Sequence, residues 1–286
     1  MVKSTGKLPD WMARRGRMSG AHPVKTLLRS HGLHTVCESA RCPNQPECFG
    51  RKVATFMILG DTCTRGCRFC AVGKDTPLPV DPDEPRRVAG AAAALGLEYV
   101  VITSVTRDDL PDGGSSQFAL TLRAFSMELP GVPVEVLTPD FQGDEVAMNV
   151  VLEAGPAVFN HNIETVPRLY PAVREGSDYR RSLEVLRRAA AADFPVKSGL
   201  MLGLGEKDEE VMEVMEDLFE AGCLLLTLGQ YLQPSRECLP VDRFVTPDRF
   251  DFFGRLGYKI GFRYVASGPL IRSSYQALEG YRKISA

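Results

Sequence analysis

The sequence predicts an α/β fold, a partial (β/α)6 TIM-like barrel, from three observations. Six short apolar, β-branched runs recur along the chain, at 53–59, 99–104, 134–137, 157–160, 196–202 and 224–228. Helix-like stretches separate all of them, at 84–95, 115–128, 144–153, 179–192 and 207–221. The runs are near-continuous in their apolar character rather than alternating, as in strands buried on both faces of a parallel sheet. Strand–helix alternation then implies right-handed βαβ units. A doubly wound sheet gives the same pattern; six strands favour the barrel.

Local punctuation supports each helix. Ser115 and Asp144 are N-cap candidates, because a short oxygen-bearing side chain accepts from an orphan N–H of the first turn. Gly96, Gly155 and Gly222 each follow a helix, where a left-handed residue closes the last turn. Two segments lie outside the repeat. Residues 1–52 precede the first strand. Residues 233–286 contain a helix at 246–256, with Pro247 at its start, and a strand at 263–266. The expected organisation is therefore an N-terminal extension (1–52), a barrel (53–232) and a C-terminal extension (233–286), the two extensions lying over the barrel mouth.

The bulk composition narrows the class. The chain has 286 residues, 44% hydrophobic and 24% charged, ordinary values for a globular protein. Its net charge of −2 gives no reason to expect nucleic acid or an anionic membrane as partner. The longest apolar runs, such as 196–204 and 223–228, are too short to span a bilayer. Residues 1–10 lack the apolar core of a signal peptide. Arg14, Arg15 and Arg17 suit a transit peptide, but Pro9, Asp10 and Trp11 interrupt any basic amphipathic helix. The expected location is the cytoplasm, whose reducing conditions favour metal-bound or reactive cysteines over disulfides.

Eight cysteines are present, six of them between Cys37 and Cys70. They form two triplets. Cys37, Cys42 and Cys48 precede the first strand. Cys63, Cys67 and Cys70 follow it at its C-terminal end, the edge where parallel α/β folds carry ligands and chemistry. Three thiolates leave one iron of a cubane cluster open to a further ligand, an arrangement suited to chemistry. A zinc knuckle built from four of the six cysteines would use the same spacings. A disulfide framework does not fit a long chain expected in the cytoplasm. Cys223, between a helix and an apolar strand, reads as a buried core thiol. Cys238 lies in a polar loop and has no expected role.

The second triplet, Cys63-x3-Cys67-x2-Cys70 with Phe69 before its last cysteine, resembles the radical S-adenosylmethionine (SAM) signature. Further motifs resemble those of lipoyl synthases: CESARCPN at 37–44 closing at Cys48, TSVTRDDLPDGG at 103–114 and FNHNIETVPRLY at 159–170. SGLMLGLGE at 198–206, GQYLQPS at 229–235 and SGPLIRSSY at 267–275 fit as well. The resemblance runs from about residue 11 to residue 275.

It implies that Cys63, Cys67 and Cys70 hold the [4Fe–4S] cluster that binds SAM, whose one-electron cleavage gives methionine and a 5′-deoxyadenosyl radical. It also implies that Cys37, Cys42, Cys48 and Ser274 hold a second, auxiliary [4Fe–4S] cluster, sacrificed as sulfur donor. A serine oxygen is a harder partner for iron than a thiolate. Without the resemblance, Ser274 reads as an ordinary loop serine. The implied reaction inserts two sulfur atoms, at the sixth and eighth carbons of an octanoyl chain amide-linked to a carrier lysine. No protein acid or base is assigned. The implied partners are octanoylated lipoyl carrier domains, namely the glycine cleavage H protein and the acyltransferase subunits of 2-oxoacid dehydrogenases. An electron donor and an iron–sulfur carrier for cluster repair complete the set.

Ser104, Asn160 and Glu164 follow from position as SAM-contact candidates, being at or just after strand ends. Arg174, in a loop before a helix, suits a carboxylate partner. Capping, turn formation or surface pairing would explain each of the four equally well. His31 and His34 shape the approach to Cys37, and His161 is a candidate to line the site. Gly203-Leu204-Gly205 and Gly113-Gly114 read as tight turns, not phosphate loops. The acidic residues of 207–221 read as a solvated face. The basic pairs Arg14-Arg15, Arg180-Arg181 and Arg187-Arg188 suit an acidic carrier, though such pairs are common on surfaces. The chain departs from the family pattern at Gln276-Ala277 and at 235–238, neither expected to touch a cluster ligand. Within the superfamily, biotin synthases and methylthiotransferases are rivals. Outside it, the rival is a non-catalytic zinc or iron–sulfur module.

Overall fold

The computed structural model describes residues 2–3, 8–12, 26–29, 31–39, 42–50 and 54–285. The chain divides into two compact units. The first comprises residues 16–65 and 72–159, the second residues 1–15, 66–71 and 160–286.

In the first unit, β1 (Thr55–Ile58), β2 (Val100–Ser104) and β3 (Val134–Leu137) pair in parallel. Thr55 stands opposite Val101, and Val100 opposite Val134. A two-residue strand, His34–Thr35, runs antiparallel to β1 with His34 opposite Met57. Phe56, Ile58 and Ile102 are fully buried. Each such side chain stabilises the fold by roughly 1.5–3 kcal/mol. Helices α1 (Glu84–Leu95), α2 (Ser115–Glu128) and α3 (Glu145–Glu153) follow the strands in turn. Val53, the expected start of the first strand, lies outside the described residues, as do Arg14, Arg15 and Arg17.

The caps bear out one expectation and correct another. The Asp144 carboxylate accepts from the N–H groups of Val146 and Ala147 and so caps α3. Ser115 does not cap α2; it is the first helical residue, behind Gly114 at φ 89°. The acceptor is Asp112, which takes the N–H of Gly114 at 3.0 Å and of Ser116 at 2.9 Å. A carboxylate three residues upstream reaches over a left-handed glycine turn, a geometry that the run DGGSS permits and a nearest-oxygen rule overlooks. Gly96, Gly155 and Gly222 all have positive φ, as their positions require.

β4 (Val158–Asn160) carries the chain from the first unit into the second. In the second unit, helices α4 (Tyr179–Ala191) and α5 (Asp208–Glu220) alternate with β5 (Val196–Leu202) and β6 (Cys223–Gln230). α6 (Pro247–Ile260), β7 (Tyr264–Gly268) and α7 (Ala277–Ile284) follow. β5 pairs β6 and β6 pairs β7, both in parallel. Val211, Val214, Met215 and Leu218 of α5 face inward while Glu209, Glu213, Glu216 and Glu220 are exposed, the solvated acidic face expected. Cys223 is fully buried, and that burial pushes its thiol well above the usual range. No helix of the described residues is long and apolar enough to cross a membrane.

Candidate active site

The loop after β1 carries the second cysteine triplet, and protein groups fasten it at both ends. In the first unit, the Cys63 N–H donates to the Gly73 carbonyl at 2.8 Å. The Cys63 sulfur accepts from the backbone N–H groups of Arg65 (3.5 Å) and Thr106 (3.4 Å). Arg65 itself is buried. Its guanidinium grips Asp108 with two bonds, at 2.7 and 2.9 Å, and meets Asp140 at 2.6 Å. Burial works against the Arg65 charge, but the two carboxylates more than restore it. Sequence reasoning missed this residue. The signal was there: an arginine inside a triplet of expected ligands, with acidic residues in the 103–114 motif.

The Asp140 side chain is wholly buried. Asp140→Asn keeps its volume and removes its charge, leaving Arg65 half-compensated. We expect a loss of about 3 kcal/mol, the scale for breaking a buried ion pair. Urea unfolding of the full chain measures it, and an unchanged midpoint would contradict it.

In the second unit, the other half of the loop is held by backbone bonds. Arg68 N–H donates to the Val173 carbonyl at 2.9 Å, and Leu239 N–H to the Arg68 carbonyl at 2.8 Å. Cys238 corrects two expectations. It is buried, and its thiol lies 3.5 Å from the Cys70 carbonyl, so the departure at 235–238 does touch the backbone of an expected ligand. Phe69 packs with Leu169, Met201, Leu239 and Val241 against buried Val173, Leu204 and Tyr231.

The same unit gathers three SAM-contact candidates. Glu164 adopts a left-handed conformation at φ 65° and is fixed to β5: its N–H donates to the Gly199 carbonyl, and its carbonyl accepts from Met201, both at 2.9 Å. Burial pushes its carboxyl above the usual range, although Arg174 and an Asn162 hydrogen bond oppose the shift. Arg174 is buried and donates to the Tyr170 hydroxyl at 2.8 Å. Burial works against its charge too, and Tyr170, Glu164 and Cys67 together outweigh it. Its Nε has no partner among the described residues. The Asn160 amide reaches the Ser273 hydroxyl at 2.9 Å.

Ser104, in the first unit, ends β2 as expected, with its buried Oγ lacking a partner among the described residues. His161 is buried against Ser182 at 3.1 Å. His31 bonds the Leu27 carbonyl, and His34 stands 3.9 Å from Asp61.

The first triplet lies within the first unit. The Cys42 N–H donates to the Cys37 carbonyl at 3.0 Å, and the Cys48 N–H to the Asn44 carbonyl at 2.9 Å. Cys37 is buried, and its thiol is pushed up to about 12, first by burial and then by Cys42 and Cys48 nearby. All eight cysteines are free. Among the described residues, no three His, Cys, Asp or Glu side chains stand close enough for a single metal ion. A four-iron cluster is larger than an ion and spreads its thiolates further.

Comparison with known proteins follows the same lines. Residues 57–218 match the model of the Radical SAM superfamily. The chain is 54% identical to a lipoyl synthase of Caldanaerobacter subterraneus, covering 96% of each chain. It is 56% identical to the lipoyl synthase of Pseudomonas putida strain W619, covering 95% of this chain and 81% of that one. Among solved structures, the fold is similar to HydG, a maturase of the [FeFe]-hydrogenase, with a TM-score of 0.57 at 14% identity, covering 94% of this chain and 67% of that one. It is also similar to methylornithine synthase (PylB), with a TM-score of 0.55 at 15% identity, covering 91% and 85%. The fold is thus that of the radical SAM enzymes, in agreement with the partial-barrel expectation and not with a doubly wound sheet.

Proposed function

Since the chain belongs to the lipoyl synthase family of the radical SAM superfamily, we propose that Cys63, Cys67 and Cys70 hold its SAM-binding [4Fe–4S] cluster, and that Cys37, Cys42, Cys48 and Ser274 hold an auxiliary [4Fe–4S] cluster that donates sulfur. The reaction is that of the family, insertion of two sulfur atoms into a protein-bound octanoyl-lysine. Family membership decides against the zinc module and against the rival sulfur-inserting enzymes. The observation that carries the ligand reading is two separate triplets, each with its own local scaffold.

When bound, the SAM-site cluster and SAM supply the one-electron chemistry that activates an unreactive C–H bond. The chain's own residues bind, orient and exclude water. The Cys63 sulfur meets two backbone N–H groups, which fix its place in the loop. SAM carries an amino group and a carboxylate. Glu164 and Arg174 offer one partner of each sign, and the spare Arg174 Nε and Ser104 Oγ are donors suited to a polar ligand. The apolar cluster of Phe69, Val173, Leu204 and Tyr231 beside the loop keeps water from the reacting centre. Lipoyl-domain proteins are the substrates: the glycine cleavage H protein and acyltransferase subunits of 2-oxoacid dehydrogenases. An electron donor and an iron–sulfur carrier complete the cycle. The expected compartment is the cytoplasm, whose reducing conditions suit cysteines held as iron ligands.

An anaerobic single-turnover assay tests the reading. Reconstituted protein is mixed with SAM, a strong reductant and an octanoyl-lysine peptide, and the peptide mass is followed. A gain of one and then two sulfurs is expected. Deoxyadenosine formed over an unchanged peptide would overturn the substrate assignment.

A further inference from the structure

The turn that carries Ser274 is held from the neighbouring residue. The chain runs on from Asn160, at the end of β4, and is tied to β5: the Ile163 N–H donates to the Ser198 hydroxyl, which in turn donates to the His161 carbonyl. Asn160 and Asn162 present their amides to the same group. One hydroxyl bridges them. Asn160 Nδ2 donates to Ser273 Oγ at 2.9 Å, and Ser273 Oγ donates to Asn162 Oδ1 at 3.1 Å. Asn162 is itself held by its hydrogen bond to the Glu164 carboxylate.

The backbone beneath is shaped to match. The 268–275 segment makes two turns, closed by Ile271 N–H to Gly268 O and Tyr275 N–H to Arg272 O. It passes so close to β6 that a Cβ at Gly229 would overlap the Ile271 carbonyl. A Cβ at Gly199 would overlap Thr227 Oγ1 and come within 3.1 Å of Asn162 Oδ1. Both glycines leave room for the Asn162–Ser273 contact and for the turn above it.

We propose that Ser273 is a positioning residue for the sulfur-inserting reaction: by bridging Asn160 and Asn162, its hydroxyl fixes the turn whose next residue, Ser274, ligates the auxiliary cluster. The proposal rests on the ligand assignment made above for Ser274. A hydroxyl has one donor and two acceptor sites, and Ser273 uses it in both senses at once. Alanine loses both bonds; threonine keeps the hydroxyl.

The test is iron release from the reconstituted full-length protein, measured anaerobically with a ferrous-iron chelator, for wild type, Ser273→Ala, Ser273→Thr and Ser274→Ala. Ser274→Ala is expected to release the auxiliary cluster's half of the iron quickly. Ser273→Ala is expected to release that same half about tenfold faster than wild type, the factor for losing a pair of neutral hydrogen bonds. Ser273→Thr should release it at the wild-type rate, which separates loss of the hydroxyl from general disturbance of the fold. Wild-type release from Ser273→Ala, with fast release from Ser274→Ala, would overturn the role of Ser273 and leave the ligand assignment standing. Wild-type release from Ser274→Ala would overturn the ligand assignment and the positioning role with it.

Discussion

Cys67→Ala is expected to abolish deoxyadenosine formation from SAM. Three thiolates leave one iron of the cluster open, so losing any one leaves the cluster two short of protein ligands. Nearby cysteines are poor replacements. Cys238 lies against the Cys70 carbonyl, committed by its neighbours: Leu239 bonds the Arg68 carbonyl, and the Gln233 amide bonds the Cys238 carbonyl. The check is chromatography of the quenched reaction, with iron counted per chain. Iron should fall by one cluster's share and deoxyadenosine to background. Deoxyadenosine at the wild-type rate would remove Cys67 from the SAM site.

Cys42→Ala separates the two proposed clusters. It should keep deoxyadenosine formation and give no thiolated product, a loss of at least the hundredfold that mass spectrometry resolves readily, about 3 kcal/mol in transition-state terms. Cys42 is close to Cys37 both through its N–H bond to the Cys37 carbonyl and as a neighbour that raises the Cys37 thiol. Normal product yield from Cys42→Ala would end the sulfur-donor assignment, whatever the iron content.

The helices and strands were legible because their signals are local. The helices over 84–95 and 115–128 have the bounds that periodicity and glycine punctuation predict. The cap of α2 was not, since Asp112 acts across two left-handed glycines. The cysteine triplets can be singled out from sequence because their spacing is a property of one short stretch. Arg65, Asn162 and Ser273 cannot, because each takes its meaning from a partner far along the chain: Asp140 is 75 residues from Arg65, and Asn162 is 111 residues from Ser273. Cys238 read as incidental for the same reason, with its contact to Cys70 168 residues away. Arg174 was named from its position in a loop, but its burial against Tyr170 belongs to the fold.

The fastening of the loop from Cys63 to Cys70 bears on how the protein survives the loss of its iron. In small zinc domains, binding the metal is folding, and a chelator unfolds the chain. Here Arg65 is gripped by Asp108 and Asp140, and Arg68 is tied by backbone bonds on both sides, all of them bonds between protein groups. Stripping and restoring iron should therefore trace the same path in both directions, without hysteresis. The pace of recovery is then governed by the supply of iron and sulfide, and the polypeptide behaves as a durable mould.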